Sequence, residues 1–210
     1  MLALKIGQPI FARESAPRFN VQSFPELLVD STMDNIGLPS AGQLEKSLKA
    51  VIPIRAIATV NIRNEEGVRW RALTEENARD SFENLLFSVC RFRELTGTYP
   101  KNITVVSYNF KKERFSHLHR SAIGFPDSRF FYYGTPTTST SKEAALKGEA
   151  LVRAQFPEDP YGCRGTLRRK KLGRDPFHRS IPYPNGCPEI EGLFRYCGAG
   201  PYPGSLPWTK

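Results

Sequence analysis

Apolar residues recur at helical spacing from Ala78 through Phe82, Leu85, Leu86, Val89 and Phe92, which predicts an amphipathic helix. Thr74 is its expected N-cap, the acidic pair Glu75 and Glu76 suits its positive end, and Gly97 after Thr96 is its expected stop. Ile103 to Val106 is a short apolar run bounded by turn residues, the pattern of a strand covered on both faces. Lys111 to Ile123 predicts a second helix, with Phe115, Leu118, Ala122 and Ile123 inward. Phe130 to Tyr133 predicts a strand. Lys142 to Phe156, capped by Ser141, predicts a helix that packs through Ala145, Ala150, Leu151 and Ala154.

Upstream the pattern is weaker. Phe24 to Val29 reads as the start of a short helix with an early proline, and Ser40 to Lys49 as another. Val51 to Ile62, rich in β-branched residues, reads as one or two strands, and Asn64 to Gly67 as a turn. Beyond Pro157 regular periodicity stops: Asp159–Gly162 and Tyr183–Gly186 are turns, and only Pro188 to Tyr196 offers a short helix. Helix, strand and helix in succession are the grammar of an open parallel sheet, whose ligands bind at the carboxyl ends of the strands. The expected class is therefore α/β, with a short, mostly parallel sheet. The expected division is an atypical segment at 1–60, an α/β core at 61–157 and a basic, Pro/Gly-rich irregular extension at 158–210.

The chain has 210 residues, enough for one domain with a tail, and 40% hydrophobic residues suffice for a core. Thirty basic against 21 acidic residues give a net charge of +9, which favours anionic partners. Met1 to Gly7 has no sustained apolar run, so a secretory leader is not expected, and no stretch reaches the ~20 apolar residues of a membrane helix. The four cysteines (Cys90, Cys163, Cys187 and Cys197) form no Cys-x-x-Cys pair. Reduced thiols in an intracellular protein are the expectation, cytoplasmic or nuclear. The basic run Arg164 to Arg174 also resembles a nuclear import signal. No RNA-recognition or zinc-finger pattern stands beside that basic run, so nucleic acid is not the expected partner.

Candidate chemistry collects at the joins of the elements. Glu75, Asp80 and Glu83 form a carboxylate cluster that can act as base, metal ligand or arginine partner, or can simply offset the helix dipole. Ser107, Asn109, Lys111 and Arg114 fall where a strand ends and a helix begins. Backbone N–H groups attract anions there, and an arginine clamps phosphate or carboxylate. Asn84 stands at the edge of the apolar stripe as a ligand contact or a structural amide. His117 and His119, two apart, lie on different faces of an α-helix and do not make a shared metal site. There is no Gly-rich dinucleotide fingerprint, phosphate loop or nucleophile elbow, so no cofactor is named.

Glu75, Ser81, Glu83 and Asn84, followed by Ser107, Phe110 and Arg114, resemble the domain-of-unknown-function 218 family, whose bacterial members are YdcF-like and SanA-like. Ala78 to Ser88, Phe110 to Phe115, Asp159 to Gly162, Arg174 to Phe177 and Cys187 to Glu189 resemble its fungal branch. The likeness covers roughly residues 70–200 and implies a Rossmann-like three-layer domain. The bacterial pattern usually has His where this chain has Lys111. The family's opening strand and glycine-rich loops are not visible in residues 1–60, so a truncated or replaced N-terminal half is expected. The implied site binds an anionic or nucleotide-like small molecule. Glu75 serves as base or metal ligand, Arg114 as anion clamp, Asp80 and Asn84 as orienting groups, and Ser107, Asn109 and Lys111 line it. Two other readings stand beside this one: a non-catalytic interaction protein using the basic extension, and a degenerate member without a site.

Overall fold

The structure is a computed structural model. It describes residues 26–30, 56–58, 73–136 and 142–209, with side chains at 75–136 and 142–209. The sequence expectations for Ser40 to Lys49, Asn64 to Gly67 and Ser141 lie outside these residues. The chain is mixed α/β. Strands β1 (Glu26–Asp30), β4 (Asn102–Tyr108) and β5 (Phe130–Thr135) form a parallel sheet in the order β1-β4-β5. Leu27 lies opposite Ile103, and Ile103 opposite Phe130. A separate antiparallel ladder joins β2 (Ala56–Ala58) to β3 (Leu73–Glu75).

This corrects two upstream expectations. Glu26–Asp30 is a strand, not a helix, because Leu27, Leu28 and Val29 gain ladder partners along β4 that a short isolated helix could not match. An opening parallel strand therefore exists within the first sixty residues. β4 alternates half-buried and buried positions, with Ile103, Val105 and Ser107 enclosed, so only one of its faces is fully covered.

Helix α1 (Ser81–Thr96) starts six residues later than its expected N-terminus. Thr74 and Glu75 belong to β3, and Asp80 is the true N-cap, its Oδ1 accepting from the Glu83 N–H at 2.7 Å. The end is as expected: Gly97 takes the left-handed conformation (φ 74°) and donates its N–H to Arg93 O at 2.8 Å. Ser81 through Cys90 are all buried. A helix enclosed on every side has layers on both flanks. One flank is the sheet side of the core, with Leu85, Val89 and Phe92 among its members; the other is the chain beyond residue 157.

That last part is irregular only between short helices. It holds α4 (Gly165–Gly173), α5 (Tyr183–Gly186) and α6 (Glu191–Arg195), after α3 (Lys142–Arg153) and a short α2 (Arg120–Ala122). The basic run sits in α4, where Leu167 and Lys171 turn inward. Sequence periodicity missed this helix because only those two of its nine residues are buried. The end of the chain is anchored as well: Trp208 is buried and its Nε1–H donates to Ile123 O at 2.9 Å. In α3 the expected packing face is wrong. Ala150, Leu151 and Ala154 are exposed and Ala145 is half-buried, while Glu149 is buried and Val152 half-buried, because a carboxylate paired with Arg114 occupies the inward position.

Two disulfides overturn the expectation of reduced thiols. Cys90 joins Cys187, and Cys163 joins Cys197, each with Cα atoms 5.8 Å apart. The sequence separations of 97 and 34 leave no local motif to read. No helix among the described residues is long and apolar enough to cross a membrane.

Candidate functional site

Immediately after β4 the chain makes a 3₁₀ turn (Asn109–Lys111) and then six π-helical residues, Arg114–His119, before α2. A π-helix closes i to i+5 and is frequent at functional sites. Arg114 and His119, five apart, therefore stack on one side of the segment, where in an α-helix they would diverge. Both reach the first residue of α1. Arg114 Nη1–H donates to Ser81 Oγ at 2.8 Å, and Ser81 Oγ lies 2.8 Å from His119 Nε2. The Ser81 hydroxyl has one proton and two lone pairs, so besides accepting from Arg114 it serves either tautomer of His119, donating to Nε2 or accepting from it. Nδ1 has no partner among the described residues.

Spacing alone treats His119 as an α-helical residue on a different face from His117 and gives it no role. The π segment is the local structure that brings it in, and the sequence carries no sign of it. Burial, then the positive charges of Arg114 and Lys171, hold its pKa well below the ordinary value, so the ring is neutral. Phe82, Phe115 and Phe156 meet it edge-on. The Ser81–His119 distance is that of a nucleophile and its base. Both groups are enclosed, however, Ser81 at 3% and His119 at 0% exposure. Arg114 is buried too, and its Nη2 pairs with Glu149 Oε2 of α3 at 2.7 Å.

The seven candidate residues fall into separate groups. Ser107 and Lys111 are buried at the carboxyl end of β4, with Lys111 Nζ 5.5 Å from the centre of the Tyr108 ring. Asn109 is exposed beside β5, where a methyl group at Gly134 would run into its Oδ1 and lie 3.0 Å from its Cγ. Arg114 joins this end of the sheet to α1 through Ser81. Asn84 is on the Ser81 face of α1. It is fully buried, and neither its Oδ1 nor its Nδ2 has a partner among the described residues.

Asp80 and Glu75 are committed elsewhere. Asp80 caps α1 and takes Lys171 Nζ of α4 at 3.1 Å. Glu83 holds Arg79 through both carboxylate oxygens and meets the same Lys171 at 3.3 Å. Burial opposes the charge on Lys171, but the carboxylates of Asp80 and Glu83 overcome it and raise its pKa. Glu75 accepts the Asn77 and Ala78 N–H groups at 2.6 and 3.0 Å and the Tyr183 hydroxyl at 2.9 Å. Burial pushes its pKa up, against those hydrogen bonds. Glu75 thus closes the β3–α1 loop onto α5, and the ion pairs of Asp80 and Arg114 run to different partners. No three His, Cys, Asp or Glu side chains among the described residues form a metal-ligand group.

A cavity of about 510 Å³ lies against α1, between that helix, α4 and the chain around α6. None of the seven candidate residues lines it. At 3.6 residues per turn, its α1 wall (Phe82, Glu83, Leu86 and Phe87) is on the opposite side of the helix from Ser81, Asn84 and Ser88.

Among proteins of known sequence, the chain is 32% identical over 177 residues to the uncharacterized protein YOR238W of Saccharomyces cerevisiae. The match takes in 76% of this chain and 58% of the yeast protein, so the chain spans less than two thirds of that relative's length. No protein-family model matches the chain. No solved structure matches it.

Proposed function

We propose that this chain is a Rossmann-like three-layer domain of the domain-of-unknown-function 218 kind, and that it binds a small anionic, nucleotide-like molecule where β4 ends and α1 begins. The observation that carries the reading is Asn84. A fully enclosed carboxamide with both atoms unpartnered among the described residues costs about 1–3 kcal/mol per group unless something bonds it. It lies one turn into the helix whose first residue is held by a buried arginine. Helix N-termini and the carboxyl ends of parallel strands both favour anions. In this reading Arg114 and Lys111 supply positive charge, Asn109 stands at the exposed rim, Ser107 lies at the enclosed end, and Asn84 orients the ligand. Glu75 and Asp80 hold the surrounding loop and cap; no reaction is assigned to them.

The resting partner of Arg114 is Glu149, so the ligand competes with an internal carboxylate. Thermal-shift titration with nucleoside phosphates and inorganic phosphate tests this. Stabilisation is expected in the wild type, because a ligand of the folded state raises its stability. Arg114→Gln should erase it, and Glu149→Gln, which removes the competitor, should enlarge it. Shifts indifferent to both changes refute the assignment.

A second reading is an interaction protein that works through α4, favoured by the exposed Arg168, Arg169 and Lys170. The cytoplasmic address expected from the sequence belongs to the same proposal. The two disulfides weigh against it, because the cytosolic thiol pool keeps such pairs reduced. Thiol labelling of the protein taken directly from cells decides the point.

A further inference from the structure

The cavity against α1 has the composition of a binding site of its own. Its volume, about 510 Å³, is in the range of small-molecule pockets, ~300–1,000 Å³. Aromatic rings dominate the wall: Phe82, Phe87, Tyr161, Phe194 and Tyr196. Phe87 and Phe194 stack with centroids 5.8 Å apart, and Tyr161 meets Phe82 and Tyr196 edge-on.

The charged groups on the wall are four cations and one carboxylate, Glu83. Arg79 and Lys171 are engaged by Glu83, and Arg195 pairs with Glu191 at 2.5 Å. Arg168 is different. It is exposed on α4, beside Arg169 and Lys170, and has no ion pair among the described residues. The cavity therefore offers flat apolar surface inside and an uncompensated guanidinium at its edge. The Cys163–Cys197 disulfide forms part of the wall and ties the start of α4 to the segment after α6, so the walls are set before any ligand arrives.

We propose that this cavity binds a small planar aromatic anion, its ring among Phe82, Phe87 and Phe194 and its anionic group on Arg168. Aromatic side chains prefer offset or edge-on partners, which a planar ring satisfies. A guanidinium makes paired hydrogen bonds to phosphate or carboxylate. Because the cavity and the Ser81–Asn84 face lie on opposite sides of α1, the proposal goes beyond the site at the end of β4, and each can fail without the other.

Calorimetric titration of the full chain with 1-naphthyl phosphate, 1-naphthol and inorganic phosphate tests it. The phosphate ester should bind about tenfold more tightly than 1-naphthol, the scale of one charged hydrogen bond, and inorganic phosphate should bind this cavity no more tightly than 1-naphthol. Arg168→Glu, at an exposed helix position, should erase that advantage and leave 1-naphthol binding in place. Phe194→Ala should weaken both naphthyl compounds. Equal affinity for ester and naphthol, indifference to Arg168→Glu, or no heat from any naphthyl compound overturns the proposal. None of these outcomes touches the nucleotide stabilisation tested through Arg114.

Discussion

Replacing Lys171 by methionine removes the ammonium that joins α4 to the start of α1. In the native chain Nζ donates to Tyr161 O at 2.9 Å, to Asp80 Oδ2 at 3.1 Å and to Glu83 Oε1 at 3.3 Å, with only 11% of the side chain exposed. Breaking a buried ion pair from one side costs ~3–5 kcal/mol, because the partner charge stays behind. The lower end applies here, about 3 kcal/mol. Glu83 keeps Arg79, and Asp80, though it loses its ion-pair partner, keeps the Glu83 N–H, so neither carboxylate is left without a hydrogen bond. Methionine keeps most of the buried stem, which isolates the charge from the packing.

Urea unfolding followed by tryptophan fluorescence reads the change, since Trp208 is buried. At an m-value of about 1–3 kcal/mol/M, the midpoint falls by roughly 1–3 M. Asp80→Asn in the Lys171→Met background retains a cap and removes the uncompensated charge, so the two changes should be coupled by ~1–2 kcal/mol. Lys171 has a raised pKa, so its contribution is complete below the ordinary lysine value of 10.5 and is lost only as pH rises through the folded value. At pH 7 the full effect is therefore expected. A loss below about 1 kcal/mol, or strict additivity with Asp80→Asn, refutes the claim that α4 is fastened to α1 by this contact.

Acid titration should separate two buried groups of opposite sign. His119 has a lowered pKa, so its contribution is present above about 6.5 and is lost as pH falls toward the folded value; His119→Gln should flatten that part of the stability curve in urea melts. Glu75 has a raised pKa, so its contribution is present below 4.5 and is lost as pH rises through the folded value. The stability of the wild type relative to Glu75→Gln should therefore climb as pH falls toward 4.5, and a flat difference would contradict the burial. Cys187→Ser should remove ~4–5 kcal/mol for the 97-residue separation of Cys90 and Cys187, and chemical reduction, which also opens Cys163–Cys197, should remove more in calorimetry. Gly134→Ala should cost ~1–3 kcal/mol through the clash with Asn109, and Asn109→Ala in the same chain should recover part of it.

The parts of the fold that were readable are those where one face decides. Phe82, Leu85, Val89 and Phe92 announced α1, and Gly97 its end, because an amphipathic period and a left-handed cap are local. The strands at β4 and β5 were readable for the same reason. The start of α1 was missed by six residues, since Thr74 and Glu75 have cap chemistry but are claimed by a ladder with Ala56 and Ile57. β1 was read as a helix because five residues gave too little period to choose, and its partner lies more than seventy residues away. At the site, the sequence brought Ser107, Lys111 and Arg114 to one strand end, and the structure has them there. It grouped Glu75 with them, whereas Tyr183 draws Glu75 to α5. His119 depends on a π segment, whose five-residue closure has no signature in composition or spacing.

Because α1 is enclosed on both flanks, residues beyond 157 supply one of its two walls, with Tyr161, Leu167, Tyr183, Ile190 and Leu193 all in the common core. A reading-frame interruption before that point would leave Phe82, Leu86 and Phe87 facing water, on a fragment that also lacks the Cys90–Cys187 link to its second half. The central helix therefore gains its second wall only once the residues beyond 157 have been synthesised.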